Sequence, residues 1–195
     1  AAEGPIGKDK QSGYIVNYRY STIGLLTAIG LDVGDESISF QDLSFKVDLE
    51  TVKAGTFSLF GLGGLSDEVF NAERDPAAWE NLEDRVDTRF FSDMGGLGLS
   101  HDLSLSTDAR ITTKVSYSAI NSKRSGNLVT DSLSLSPLSE DSYSQSLISW
   151  LSQLDYRLNS RHIVHAGMLT NRTGYDLNSV ASIDTGSTRT LAEGK

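Results

Sequence analysis

Seven runs of alternating apolar and polar residues, joined by gaps that are short, then long, then short again, constrain this chain more than any single motif in it. Successive side chains on a strand point to opposite faces, so each run has one apolar and one polar side. The runs cover 14–21, 38–49, 55–65, 89–100, 109–120, 146–158 and 161–171. The clearest sets Leu43, Phe45, Val47 and Leu49 against Asp42, Ser44, Lys46 and Asp48. None stays apolar for the roughly 20 residues that a spanning helix needs.

The gaps are sorted by length. Those at 22–37, 66–88 and 121–144 are long and fall at one end of the strands. Those at 50–55, 101–108 and 159–160 are short and fall at the other. Outer-membrane barrels have this layout, with tight periplasmic turns and longer outer loops. The expected fold is therefore all-β: an antiparallel meander forming part of a transmembrane outer-membrane β-barrel, with the first strand running outward. About seven strands are too few and odd in number for such a barrel, so residues 1–195 read as a partial barrel domain. The abrupt ends, Ala1-Ala2-Glu3-Gly4-Pro5 and Leu191-Ala192-Glu193-Gly194-Lys195, fit that expectation, and no signal peptide is visible. Within the gaps, Ile23–Leu31 is expected as a short helix, and Asp75-Pro76 as a capped helix start. Gly61, Gly63 and Gly64 suggest a bend or bulge. From Arg172 onward a loop is expected.

The alternation assigns faces. Tyr14, Val16, Tyr18, Leu43, Phe45, Val47, Val115, Tyr117, Trp150, Leu154 and Tyr156 form the candidate lipid-facing set. Their tyrosines suit a bilayer boundary, where the ring meets lipid and the hydroxyl meets water. Arg19, Asp42, Lys46, Asp48, Arg110, Lys114, Asp155 and Arg157 form the candidate lumen-facing set. Charges of both signs on one face suit a cross-strand ladder of ion pairs.

Enzyme chemistry finds little footing. His162 and His165 fall on opposite faces of their strand, a poor start for a metal site. The acidic pairs Asp35-Glu36, Asp67-Glu68 and Glu140-Asp141 all fall in the gaps, as expected of solvated loops. Gly61-Leu62-Gly63-Gly64 lacks the Lys-Ser/Thr ending of a phosphate loop. No Gly-x-Ser-x-Gly elbow occurs. The formal net charge of −9 argues against nucleic acid. A hydrophobic content of 38% suits a barrel wall with one polar face. With no Cys, disulfides and Cys-based metal sites are excluded. No catalytic residue, metal or cofactor is expected.

Four segments also resemble a known family: Glu3-Gly4-Pro5-Ile6, Tyr18-Arg19-Tyr20-Ser21-Thr22, Phe40-Gln41-Asp42-Leu43-Ser44-Phe45-Lys46 and Lys53-Ala54-Gly55-Thr56-Phe57 with the Ser58-Leu59-Phe60-Gly61 that follows. They are similar to the early barrel of TonB-dependent receptors of the Bacteroidetes type, over roughly residues 3–65, and extend to 171 in outline. The resemblance implies a 22-stranded barrel in the bacterial outer membrane, occluded by a plug. It also implies a TonB-type energy-coupling protein that acts through that plug. Neither the plug nor the coupling box lies in this chain. The ligand would be a small molecule such as a siderophore, a glycan or a peptide, with a surface lipoprotein as a further partner. The charged lumen set would then hold the plug through polar contacts that break during transport. Two readings from other classes stand beside this one: a secreted or surface-attached adhesin-like binding module, and a soluble β-sandwich enzyme acting on glycans.

Overall fold

The computed structural model describes residues 1–8, 11–21, 29–30, 36–184 and 187–194. They form one antiparallel sheet in strict chain order, a meander with no crossover. Its strands are β1 (Ala2–Ile6), β2 (Ser12–Tyr20), β3 (Glu36–Thr51), β4 (Gly55–Phe70), β5 (Val86–Ser104), β6 (Ala109–Val129), β7 (Leu135–Asn159), β8 (His162–Asp184) and β9 (Ser187–Gly194). The sheet is not closed; β1 and β9 form its edges.

All seven expected strands are present, the structure lengthens most of them, and it adds two to the expected seven, β1 and β9, whose short stretches show no clear alternation. The gap expected at 121–144 shrinks to residues 130–134, because β6 runs on to Val129 and β7 begins at Leu135. The 66–88 gap shrinks to 71–85. The loop expected after Arg172 is strand as far as Asp184. Glu36 opens β3, and the proposed Ile23–Leu31 helix lies almost wholly outside the described residues. The physical reason is shared. From Asn121 to Gly126 and from Glu140 to Ser144 the side chains are polar on both faces, so no period betrays a strand. Backbone pairing needs no such period, and Lys123 opposes Ser142 as regularly as Val115 opposes Trp150. For the same reason Asp67-Glu68 and Glu140-Asp141 lie in strands rather than loops.

The bend or bulge expected at Gly61, Gly63 and Gly64 is no bulge, since register runs unbroken through all three on both sides. Aromatic rings cover Gly61 and, on β5, Gly98. A Cβ on Gly61 would meet the Phe45 ring at 2.5 Å, and one on Gly98 would meet the Phe60 ring at 2.2 Å. Bulges occur instead between Gly126 and Asn127 against β7, and between Arg157 and Asn159 against β8.

The short turns are chemically fixed. Between β3 and β4, Thr51 Oγ1 accepts from Ala54 N at 3.0 Å and donates to Gly55 O at 2.7 Å. Gly55 has φ +77°, and a Cβ there would lie 2.1 Å from Asp102 O. Between β7 and β8, Asn159 Oδ1 accepts from Arg161 N at 2.9 Å and His162 N at 3.0 Å.

There is almost no core. Among the described residues the buried hydrophobic ones are Ala72 and Val129. The chain exposes 13624 Å², against about 9,000 Å² for a compact monomer of its mass. A single-layer sheet with two open faces accounts for the excess.

Candidate functional site

Register carries one apolar face across the sheet. In one row Tyr14, Val47, Leu59, Leu99, Val115 and Trp150 oppose one another in turn. In the next stand Val16, Phe45, Gly61, Leu97, Tyr117 and Ile148. Tyr18, Leu43, Gly63, Gly95 and Ala119 follow. Toward the short turns Ile111 opposes Leu154, and Ala109 opposes Tyr156. Every residue of the candidate lipid-facing set therefore sits on one face. These side chains are open to the surroundings: Tyr18 is 55% exposed, Leu97 52% and Tyr117 51%.

This apolar face is a belt rather than a whole side. On β6 it runs from Ala109 to Ala119, about eleven residues. Beyond Ala119 the same face carries Asn121, Lys123 and Ser125, opposed on β5 by Asp93, Phe91 and Arg89. At about 3.3 Å per residue, eleven residues span about 36 Å along a strand, or about 25 Å for a strand inclined at 45°. The rest of β6 and of β7, at the end away from the short turns, is polar on most positions of both faces.

The candidate lumen-facing set shares the opposite face. Arg19 opposes Asp42 and grips both of its carboxylate oxygens, at 3.0 and 2.9 Å. Lys46 Nζ meets Asp48 at 2.8 Å. Arg110 opposes Asp155 in register, yet its ion pair goes to Asp102 at 3.4 Å. Asp155 instead accepts from Gln153 at 2.7 Å and lies 2.6 Å from His165 Nδ1. Lys114 opposes Ser100 and Leu151, and Arg157 opposes Ile163. The face is not uniformly polar: Ile15, Phe60, Leu62, Met94 and Ile120 also stand on it.

At the far end of the strands a crown is built from loop 71–85. Asp75 caps the 3₁₀ turn Pro76–Ala78, as its sequence predicts, accepting from Ala77 N at 3.0 Å. Asp84 accepts from both Glu80 N and Asn81 N at 2.8 Å. Asp87 holds Ala72 N at 2.7 Å and Arg74 at 2.8 Å. Arg85 is the tie to the β6–β7 hairpin. Its guanidinium lies 4.4 Å from the Trp79 ring centroid, and it donates to Val129 O at 3.1 Å and Asp131 at 2.8 Å. Below the crown, Arg89 grips Asp67 with two bonds of 2.9 and 2.7 Å. Those bonds hold the Asp67 carboxyl below its usual range, with burial opposing.

The crown roofs a cavity of ≈ 960 Å³. Phe70 and Phe90 line its floor, Leu82 and Glu83 its roof, and Glu68 and Arg124 its flanks. The sequence did not reveal these residues as a set, because they come from separated stretches. An aromatic on alternate positions past the apparent strand end, as in Glu68-Val69-Phe70, was the available signal. Among the described residues no three His, Cys, Asp or Glu side chains gather as a metal site. Comparison with protein families, with characterised proteins and with solved structures finds no match to this chain.

Proposed function

We propose that this chain is part of the wall of a bacterial outer-membrane β-barrel, and that the protein carrying it is a TonB-dependent receptor importing a nutrient ligand. The observation that carries the wall is the one-sided apolar belt, about eleven residues long on β6. That height matches the outward apolar band of such barrels, about 25 Å tall. An exposed apolar face this wide is unstable in water and calls for a covering phase. No helix among the described residues is long and apolar enough to span a membrane, so lipid contact falls to the strands.

The import activity rests on the resemblance of residues 3–65 to receptor barrels, and on the placement of the crown. Short turns at the periplasmic side put loop 71–85 and the β6–β7 hairpin outside the cell, where a ligand arrives. The lumen-facing ion pairs then line a hydrated interior that a plug fills. Energy comes from the coupling protein, and a surface lipoprotein would assist capture.

Tag accessibility on intact cells tests the placement. An epitope inserted in 130–134 should be labelled without breaking the outer membrane, and one at 52–54 only after breakage. The reverse pattern sinks the orientation. Labelling at both sites on intact cells favours an adhesin-like module instead. Uptake that persists after the coupling system is deleted removes the import claim and leaves the wall standing.

A further inference from the structure

We infer that the cavity beneath the 71–85 crown binds a net-cationic ligand with an aromatic or aliphatic body. This inference rests on the reading of that end as the outer, ligand-facing mouth. It names the ligand class that the mouth would take.

The cavity is built, not incidental. Its floor is the face opposite the apolar belt, where Phe90 stands between Glu68 on β4 and Arg124 on β6. Phe70 lies diagonal to Phe90, across from Thr88. Next to Thr88 comes Gly126, against which Ser139 Oγ packs closely; a Cβ there would come to 3.0 Å from it. The bulge opposite Gly126 inserts Leu138, which pairs with no residue of β6 and lines the cavity. Bulges re-aim side chains in this way and collect beside functional sites. The roof is held from two sides, by Arg74 on Asp87 and by Arg85 on Val129 and Asp131. A roof fixed before the ligand arrives lowers the ordering cost of binding.

Size and chemistry then select the occupant. The volume lies at the upper end of small-molecule pockets, roughly 300–1,000 Å³. The two Phe rings with Leu82 and Leu138 suit an apolar body. Around them Glu68, Glu73, Glu83 and Asp84 face a single Arg124, so the lining is net negative. Asp84 is occupied in capping Glu80 and Asn81, and Glu73 accepts from Asp75 N at 2.8 Å. Glu83, and Glu68 beyond its one long bond from Ser66 Oγ at 3.4 Å, are the acids best placed to meet a cation, and an aromatic face beside them adds cation–π attraction. Glu68 and Arg124 are two strand spacings apart, about 10 Å. A bound molecule thus lies with its cation toward β4 and any anionic group toward β6.

The test uses the full-length protein purified from outer membranes in detergent and titrated calorimetrically. The probes are Phe-Arg amide, acetyl-Phe-Glu and a neutral malto-oligosaccharide. Phe-Arg amide should bind saturably, and the other two should not. Glu68→Gln with Glu83→Gln should weaken that binding at least about tenfold, as expected for lost charge-assisted contacts. Phe90→Leu should weaken it less than Phe90→Ala, with heat-modifiable migration on gels confirming that each variant folds. Equal binding of all three probes, no binding of Phe-Arg amide, or folded variants that bind it unchanged would overturn the inference. Failure of import is separable: binding with uptake that ignores the coupling system removes only the import reading.

Discussion

Placing an arginine at Val115 tests the apolar belt directly. Val115 stands on β6 inside the belt, four residues from Ala119 and six from Ala109. For strands inclined at about 45°, that puts it about 9 and 14 Å from the two edges, near the middle of the apolar layer. Its cross-strand neighbours are Leu99 and Trp150, which offer an arginine no anionic partner. Val115→Arg should therefore cost about 2–4 kcal/mol, the value for a lipid-facing arginine at the midplane. Tyr156→Arg, at the rim nearest the short turns, should cost about 0–1 kcal/mol, because the guanidinium reaches the interface. Ser116→Arg points to the other face, between Gly98 and Ser149, and should fall within about 0.5 kcal/mol of the parent. Urea titration of the protein folded into lipid vesicles measures all three. Equal costs at Val115 and Ser116 would refute the one-sided belt. Equal costs at Val115 and Tyr156 would refute its height.

Other outcomes follow from single contacts. Gly55→Ala should destabilise by more than about 2 kcal/mol, since an L-residue is strained at its φ of +77° and the new Cβ meets Asp102 O; chemical denaturation checks this. Arg85→Ala removes the tie from loop 71–85 to Val129 and Asp131. Cleavage by an added protease near Trp79 should then rise on intact cells while the barrel melts as before. The Asp67 carboxyl has a folded pKa depressed by Arg89. Its stabilisation is thus present above the ordinary aspartate pKa, about 3.9, and is lost as pH falls through the lower folded value. Amide protection factors at the β4–β5 strand ends should fall over that acidic window in the parent, and Asp67→Asn should remove that fall.

Legibility of the fold tracked water. Where one face is apolar and the other polar, as at Leu43, Phe45, Val47 and Leu49, the strand declares its period and its register follows. Where both faces are wet, as at Ser122, Lys123, Arg124 and Ser125, the same ladder continues with no signal in the side chains. The glycines misled for a related reason. Gly61 looks like a break in isolation, but Phe45 from the neighbouring strand lies over it, and that cover is a cross-strand property. The charged set was legible as a face but not as pairs: Arg110 opposes Asp155 and bonds Asp102 instead. The cavity was least legible. Phe70, Phe90, Arg124 and Leu138 meet only through the register of β4 to β7 and one bulge.

The two unequal lengths in the sheet argue together. A strand needs only about 9–11 inclined residues to cross a bilayer, yet β7 has 25 and β8 has 23. The surplus lies at the end opposite the short turns, and on β6 and β7 its side chains are mostly polar on both faces. Polar surplus in an apolar layer would leave Lys123, Arg124 and Asp141 stranded at high cost, so that part must stand in water. There it gains from ties such as Arg89 with Asp67 and from the crown fixed by Arg85. One continuous ladder thus serves two solvents. On the proposed reading lipid covers the apolar face in the belt, and the missing core matters little there, because the layer outside does the work of a second sheet. Above the belt no such layer exists, and the strand ends depend on their hydrogen-bonded loops to stay rigid. That dependence is why the cavity, the buried Val129 and the Arg85 tie all occur at the same end.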